Sequence, residues 1–256
     1  MARRLISLAL GALVLGAVPA LGLGTGACVP SGKAPAWDGG TAKKGTDSPA
    51  FEPSAGVMSE PFHDDFARDG AMDLGDNWNV LDAKAWRIEG GKLCGQNAHN
   101  KGIWLRRVLP PNARIEFTAT ATTADGDLKA EVWGDGQSGA TANSYVDATS
   151  YLVIVGGWKN TVHALARLNE HGTDRMDIPV VQAADDPRAR PVLANRPYRF
   201  VVERIDDRTV KVAIDGQSFF SFSDANPLRG RSHDHFGFND WEVKVCFDDV
   251  SVTPLP

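Results

Sequence analysis

Asp127, Lys129, Glu131, Trp133 and Asp135 occupy alternate positions, with Leu128, Ala130 and Val132 between them. On a strand the side-chain period is two, so the first set shares one face and the apolar set the other. Paired carboxylates can serve as acid and base in glycoside cleavage. Asp127 and Glu131 lie about 13 Å apart by strand rise, too far for a retaining pair. Catalysis would need Asp127 with Asp125, or Glu131 with a residue from a neighbouring strand such as His235. Lys129 beside Glu131 would depress the carboxyl pKa, the wrong direction for a general acid. The same face also fits ligand contact without chemistry, or a solvated strand surface.

His233 and His235 alternate in a His-x-His spacing that suits one metal ion on an extended strand. Zinc or copper needs three or four ligands, and Glu170, His171 or Asp240 would have to complete the set. Hydrogen-bonded loop histidines or sugar-binding histidines are the alternatives. Trp133, Trp158 and Trp241 could stack on a sugar ring, since an indole offers a flat apolar platform and one N–H donor; core or rim packing is the other use. The Gly156-Gly157 pair frees the backbone just before Trp158, which suits a rim position. Arg167, Glu170, His171, Asp174 and Arg175 form a dense polar run, either a binding loop or a salt-bridged brace. Glu131, Trp133, Trp158, His233, His235 and Trp241 are expected to converge on one concave cleft. No Gly-x-Ser-x-Gly elbow, P-loop or dinucleotide fingerprint occurs.

The elements that must position these residues are strands. From about Pro61 short β runs alternate with turn residues. They are Trp86–Ile88, Lys92–Gly95, Gly102–Arg107, Arg114–Thr122, Asp127–Trp133, Tyr151–Gly156, Val162–Arg167, Tyr198–Ile205, Thr209–Ile214, Gln217–Phe222, His235–Asn239 and Val243–Pro254. Glu89-Gly90-Gly91, Asp206-Asp207 and Asp215-Gly216 mark turns between them. About a dozen strands without βα alternation predict an all-β, two-sheet antiparallel jelly-roll sandwich. Basic residues number 27 against 32 acidic ones, a net charge of −5. That balance argues against a general nucleic-acid binder.

The N-terminus reads as an export signal. Arg3 and Arg4 precede an apolar run from Leu5 to Ala17, too short to span a bilayer at roughly 20 residues. Small residues then lead to Gly24-Thr25-Gly26-Ala27-Cys28, which resembles a bacterial lipobox, with Thr25 where Leu is usual. On that basis residues 1–27 are a signal peptide and Cys28 carries lipid that ties the protein to the membrane. The alternatives are plain secretion after cleavage at Ala20 and an uncleaved anchor. Residues 28–60 are rich in Pro, Gly, Ser, Ala and Lys and form a disordered linker; residues 61–256 form the folded domain. With Cys28 acylated, Cys94 and Cys246 remain as a disulfide pair in an oxidising compartment, or as two buried thiols.

Phe62-His63-Asp64-Asp65-Phe66, followed by Leu74, Trp78 and Trp86-Arg87-Ile88-Glu89-Gly90-Gly91-Lys92-Leu93, resembles the opening of concanavalin A-like lectin/glucanase domains. Val245-Cys246-Phe247-Asp248-Asp249-Val250-Ser251-Val252 resembles their close. The likeness extends to laminarinase-type glycoside hydrolases, the 3-keto-disaccharide hydrolase group and laminin-G-like modules. It implies a jelly roll over residues 61–256 and a glycan or polysaccharide as partner. It also implies a structural calcium between first and last strands, with Asp64 or Asp65 and Asp248 or Asp249 as oxygen donors; no other cofactor is expected. Laminarinase-like enzymes carry a Glu-x-Asp-x-x-Glu run. Here Asp125-Gly126-Asp127-Leu128-Lys129-Ala130-Glu131 departs from it. Glycan recognition without turnover is therefore expected first, a glycoside hydrolase or lyase second, and a structural or adhesive module third. Replacing Cys28 (Cys28→Ser) should move the protein from the membrane fraction to soluble material. Unchanged detergent partitioning would rule out the lipid anchor.

Overall fold

Alternation of apolar and polar residues drives the chain into strands, because only one side of each can reach the core. The structure, a computed structural model, describes residues 56–68 and 70–256. The expected signal sequence, Cys28 and most of the expected 28–60 linker lie outside the described residues. The first strands are β1 (Phe62–Asp64), β2 (Trp78–Val80), β3 (Trp86–Glu89), β4 (Lys92–Gly95) and β5 (Ile103–Leu105). Next come β6 (Ala113–Ala121), β7 (Leu128–Gly134), β8 (Tyr151–Gly156), β9 (Val162–Arg167) and β10 (Arg175–Pro179). The last are β11 (Tyr198–Arg204), β12 (Thr209–Ile214), β13 (Gln217–Ser223), β14 (His235–Asn239) and β15 (Val245–Pro254).

They form two antiparallel sheets, a jelly-roll β-sandwich. One sheet runs β13-β12-β11-β6-β15-β4-β3, with β1 on β15; the other runs β10-β9-β8-β7-β14-β5-β2. The closing strand β15 holds the first sheet together by pairing with β1, β4 and β6. Aromatic residues fill the space between the sheets: Phe238 of β14 stacks on Phe247 of β15 at 3.9 Å between centroids, and Phe117 on Phe200 at 4.8 Å. Cys94 and Cys246 face each other in the β4–β15 register and form a disulfide.

The acidic motifs at the two ends of the domain brace the fold. Asp64 accepts two N–H groups from Arg68 at 2.8 and 2.7 Å and the Trp78 indole N–H at 2.8 Å. Burial alone would raise its pKa, but these bonds outweigh burial and hold it below the ordinary value. Asp65 accepts from the Ala67 N–H, Asp248 pairs with Lys92, and Asp249 pairs with Arg199 at 2.7 Å. The expected calcium site therefore does not fit: cationic side chains take up the oxygens of Asp64, Asp248 and Asp249. Among the described residues no group of three metal-ligating side chains gathers.

The outer face of the first sheet is polar and solvated. The outer face of the second is covered. Between β7 and β8, residues 135–150 fold back over it, and Ala140, Tyr145 and Ala148 pack on Leu152, Ile154, Ala164 and Ala166. This covering loop leaves the end of the sheet at the start of β7 open.

Candidate functional site

A groove of about 850 Å³ lies at that open end. Asp127, Lys129 and Ile154 line its floor, Asn143 and Ser144 come from the covering loop, and Trp158 and Trp241 form walls. The sheet order explains the arrangement. β8 and β14 flank β7; Val155 pairs with Leu128 and Asn239 with Lys129. Trp158 follows β8 and Trp241 follows β14, so the two indoles stand on either side of the start of β7.

The backbone here is unusual. Gly126 and Asp127 have φ of 76° and 62°, and the Asp127 N–H donates to the Gly156 carbonyl at 2.8 Å. A Cβ on Gly126 would sit 2.5 Å from that carbonyl oxygen, so only glycine fits. Trp158, Lys159 and Asn160 then make a left-handed turn with φ of 50°, 57° and 60°. Such a turn costs roughly 1–2 kcal/mol per residue, and neighbouring contacts hold it in place. The Asn160 amide donates to the Ala124 and Val192 carbonyls at 2.8 Å and accepts from the Val192 N–H at 3.0 Å. His163 Nδ1 accepts the Gly156 N–H at 2.8 Å, while Nε2 lies 3.0 Å from the Arg190 carbonyl. Burial lowers the His163 pKa, which keeps it neutral for this role. The turn presents Trp158 to solvent, with Arg175 5.0 Å above its ring and His171 edge-on.

Lys129 is buried at the floor. Its ammonium donates to Asn100 Oδ1 at 2.9 Å and Glu170 Oε2 at 3.2 Å, and lies 4.0 Å from Asp127 Oδ1. Burial opposes its charge, yet the facing carboxylates of Asp127 and Glu170 win and raise its pKa. Glu170 also accepts the Tyr145 N–H, tying the covering loop to this cluster. Asp240 lies fully buried behind the groove and is pushed up to about 7, chiefly by burial and further by the charge of Asp127.

Glu131 is sealed beneath the covering loop. It accepts from the Tyr145 hydroxyl at 3.0 Å, Ser150 Oγ at 2.6 Å and Asn239 Nδ2 at 2.6 Å. Burial raises its pKa to about 7 despite these donors and Lys129. The expected depression by Lys129 is therefore reversed, because the ammonium turns to Asn100 and Glu170 and burial dominates. Trp133 also departs from expectation. The ladder steps from His235–Gly134 to Phe236–Val132, leaving Trp133 bulged with φ of 53°. Its indole turns into the core, 4.0 Å beneath the Arg204 guanidinium.

His235 shares the outer face with Glu131 but is buried at the far end of β14, its Nδ1 2.7 Å from Asp234. His233 Nδ1 lies 2.6 Å from the Thr149 carbonyl at the base of the covering loop. The structure thus brings Asp127, Trp158 and Trp241 to the groove and places Glu131, Trp133, His233 and His235 outside it. Lys129 and Glu170 contribute more to the floor than their sequence context suggests.

The family described as a domain of unknown function (DUF6250) matches residues 128–250, from β7 into β15. No curated protein matches the chain. Among solved structures, the chain is similar to carbohydrate binding module CBM66 from Bacillus subtilis. That match has 14% identity and a TM-score of 0.50, and covers 69% of this chain and 95% of the module. An endo-acting O-glycanase structure from the human gut microbiota matches at 13% identity and a TM-score of 0.53, over 76% of this chain and 99% of that one. A sialidase matches at 13% identity and a TM-score of 0.53; it covers 79% of this chain but 19% of its own. These likenesses show a shared β-sandwich architecture.

Glu131 and Asp240 both hold a proton in the folded state that the unfolded chain gives up above its ordinary values of 4.5 and 3.8. Their stabilising contribution is complete below those values and is lost as pH rises through about 7. The neutral His163 works in the opposite sense below 6.5, so comparison with Glu131→Gln isolates the carboxyl. The wild type should gain at least about 3 °C in Tm relative to that variant between pH 8 and pH 5. A pH-independent difference in thermal melts would contradict burial control of Glu131.

Proposed function

We propose that the chain is an exported carbohydrate-binding protein that holds its ligand in the groove between Trp158 and Trp241. The observation that carries this is the pair of indoles flanking a polar floor at one end of the sheet. A sugar ring has apolar C–H faces and a hydroxylated rim; an indole suits the first and the floor of Asp127 and Lys129 suits the second. The module, the O-glycanase and the sialidase of similar fold support a glycan as ligand. Binding without cleavage is favoured because Glu131 and Asp240, the two carboxyls raised to about 7, are enclosed and do not line the groove. The signal-like residues 1–27, the lipobox-like Cys28 and the polar linker to residue 60 support presentation of residues 61–256 from the cell envelope.

A glycan array should identify oligosaccharide ligands. Trp158→Ala and Trp241→Ala should each weaken binding at least tenfold, roughly the loss expected of a central aromatic anchor, with little change in Tm. Full affinity in both variants, or an array without binding, would contradict this function.

A further inference from the structure

We propose that the Asp127 carboxylate and the Lys129 ammonium together grip one hydroxyl of an uncharged sugar, and that this pair sets the groove against acidic sugars. This rests on the carbohydrate-binding function proposed above and specifies its ligand class.

Asp127 is only 7% exposed, yet it lines the groove. Among the described residues no hydrogen bond reaches its carboxylate; the nearest cation, Lys129 Nζ, is 4.0 Å away, beyond hydrogen-bond distance. A buried carboxylate ordinarily fills its acceptor sites. Lys129 has the complementary surplus. It has three N–H donors, and its hydrogen bonds go to Asn100 and Glu170. One donor and an unfilled carboxylate therefore border the same 4.0 Å gap at the groove floor.

A hydroxyl oxygen placed about 2.8 Å from both groups subtends roughly 90° between them. That is close enough to tetrahedral for one hydroxyl to accept from Lys129 and donate to Asp127 at once. Neither a carboxylate, which only accepts, nor a protonated amine, which only donates, can do both. An acidic sugar would bring its charge against Asp127, with Glu170 already neutralising Lys129. A protonated amino sugar would meet the Lys129 ammonium across the same gap. The backbone that carries the carboxylate is held in place: Asp127 sits at φ of 62°, anchored through its N–H to the Gly156 carbonyl.

The test uses the mature full-length protein on a panel of immobilised neutral hexose oligosaccharides, oligouronates, sialylated glycans and sulfated glycans. Asp127→Asn is the variant, since asparagine tolerates positive φ well; a matching Tm checks its fold. The wild type should bind neutral glycans and exclude the acidic ones. Asp127→Asn should lose at least tenfold in affinity for the neutral ligand and narrow the discrimination against oligouronates. If the wild type prefers acidic glycans, or if the variant changes neither affinity nor charge selectivity, this inference falls while carbohydrate binding stands. If the wild type binds no glycan, both fall.

Discussion

An ammonium group removed from water costs several kcal/mol unless its partners surround it. Lys129 sits in the middle strand of its sheet and is buried, so those partners must be brought to it from elsewhere. They come from three segments: Asn100 before β5, Glu170 after β9, and Asp127 at the entry to β7. Each attachment fixes a loop. The Asn100 loop also receives the backbone of Asp240 and Trp241 through the N–H groups of Asn100 and His99, so the position of Trp241 depends on it. Glu170 holds the covering loop by the Tyr145 N–H and stands beside His171, which packs against Trp158. The floor and both aromatic walls are thus connected through one buried charge.

The rest of the same sheet face is closed by a second polar cluster. Glu131 collects Tyr145, Ser150 and Asn239 from the covering loop and β14. Half-satisfied, such a cluster would destabilise the sheet; fully bonded, it locks the loop in one register. The chemistry of the face is therefore divided. A carboxyl raised to about 7 lies buried under the loop, and a carboxylate with no hydrogen-bond donor among the described residues lies in the open groove. Under the proposed function, that division keeps the raised carboxyl of β7 apart from the groove that would hold a ligand.

Much of the fold is legible in the sequence. Tyr151–Gly156, Val162–Arg167, Thr209–Ile214 and His235–Asn239 have the bounds that patterning predicts, because their apolar runs are framed by clear turns. β1, β2 and β10 are too short or too exposed to show a period. Cysteine parity points to Cys94–Cys246, which the β4–β15 register brings together. The groove is only partly legible. Gly126 and the Gly156-Gly157 pair mark where the backbone becomes left-handed, and they lead to Asp127 and Trp158. Trp133 follows strict alternation on paper, but a bulge turns it inward, and composition carries no sign of a bulge. Lys129 and Glu131 are neighbours on one face, yet each bonds to residues distant in sequence. Those partners, Asn100, Glu170, Tyr145 and Asn239, are chosen by loop packing that periodicity does not encode.

The proposed sugar site lies at the open end of the seven-stranded sheet. Crystals of the protein grown with an oligosaccharide ligand would test it directly. The expected result is a sugar ring between Trp158 and Trp241, with one hydroxyl oxygen within hydrogen-bond distance of both Asp127 and Lys129. A ligand seated on the solvated face of the eight-stranded sheet, or at His233 and His235, would contradict it.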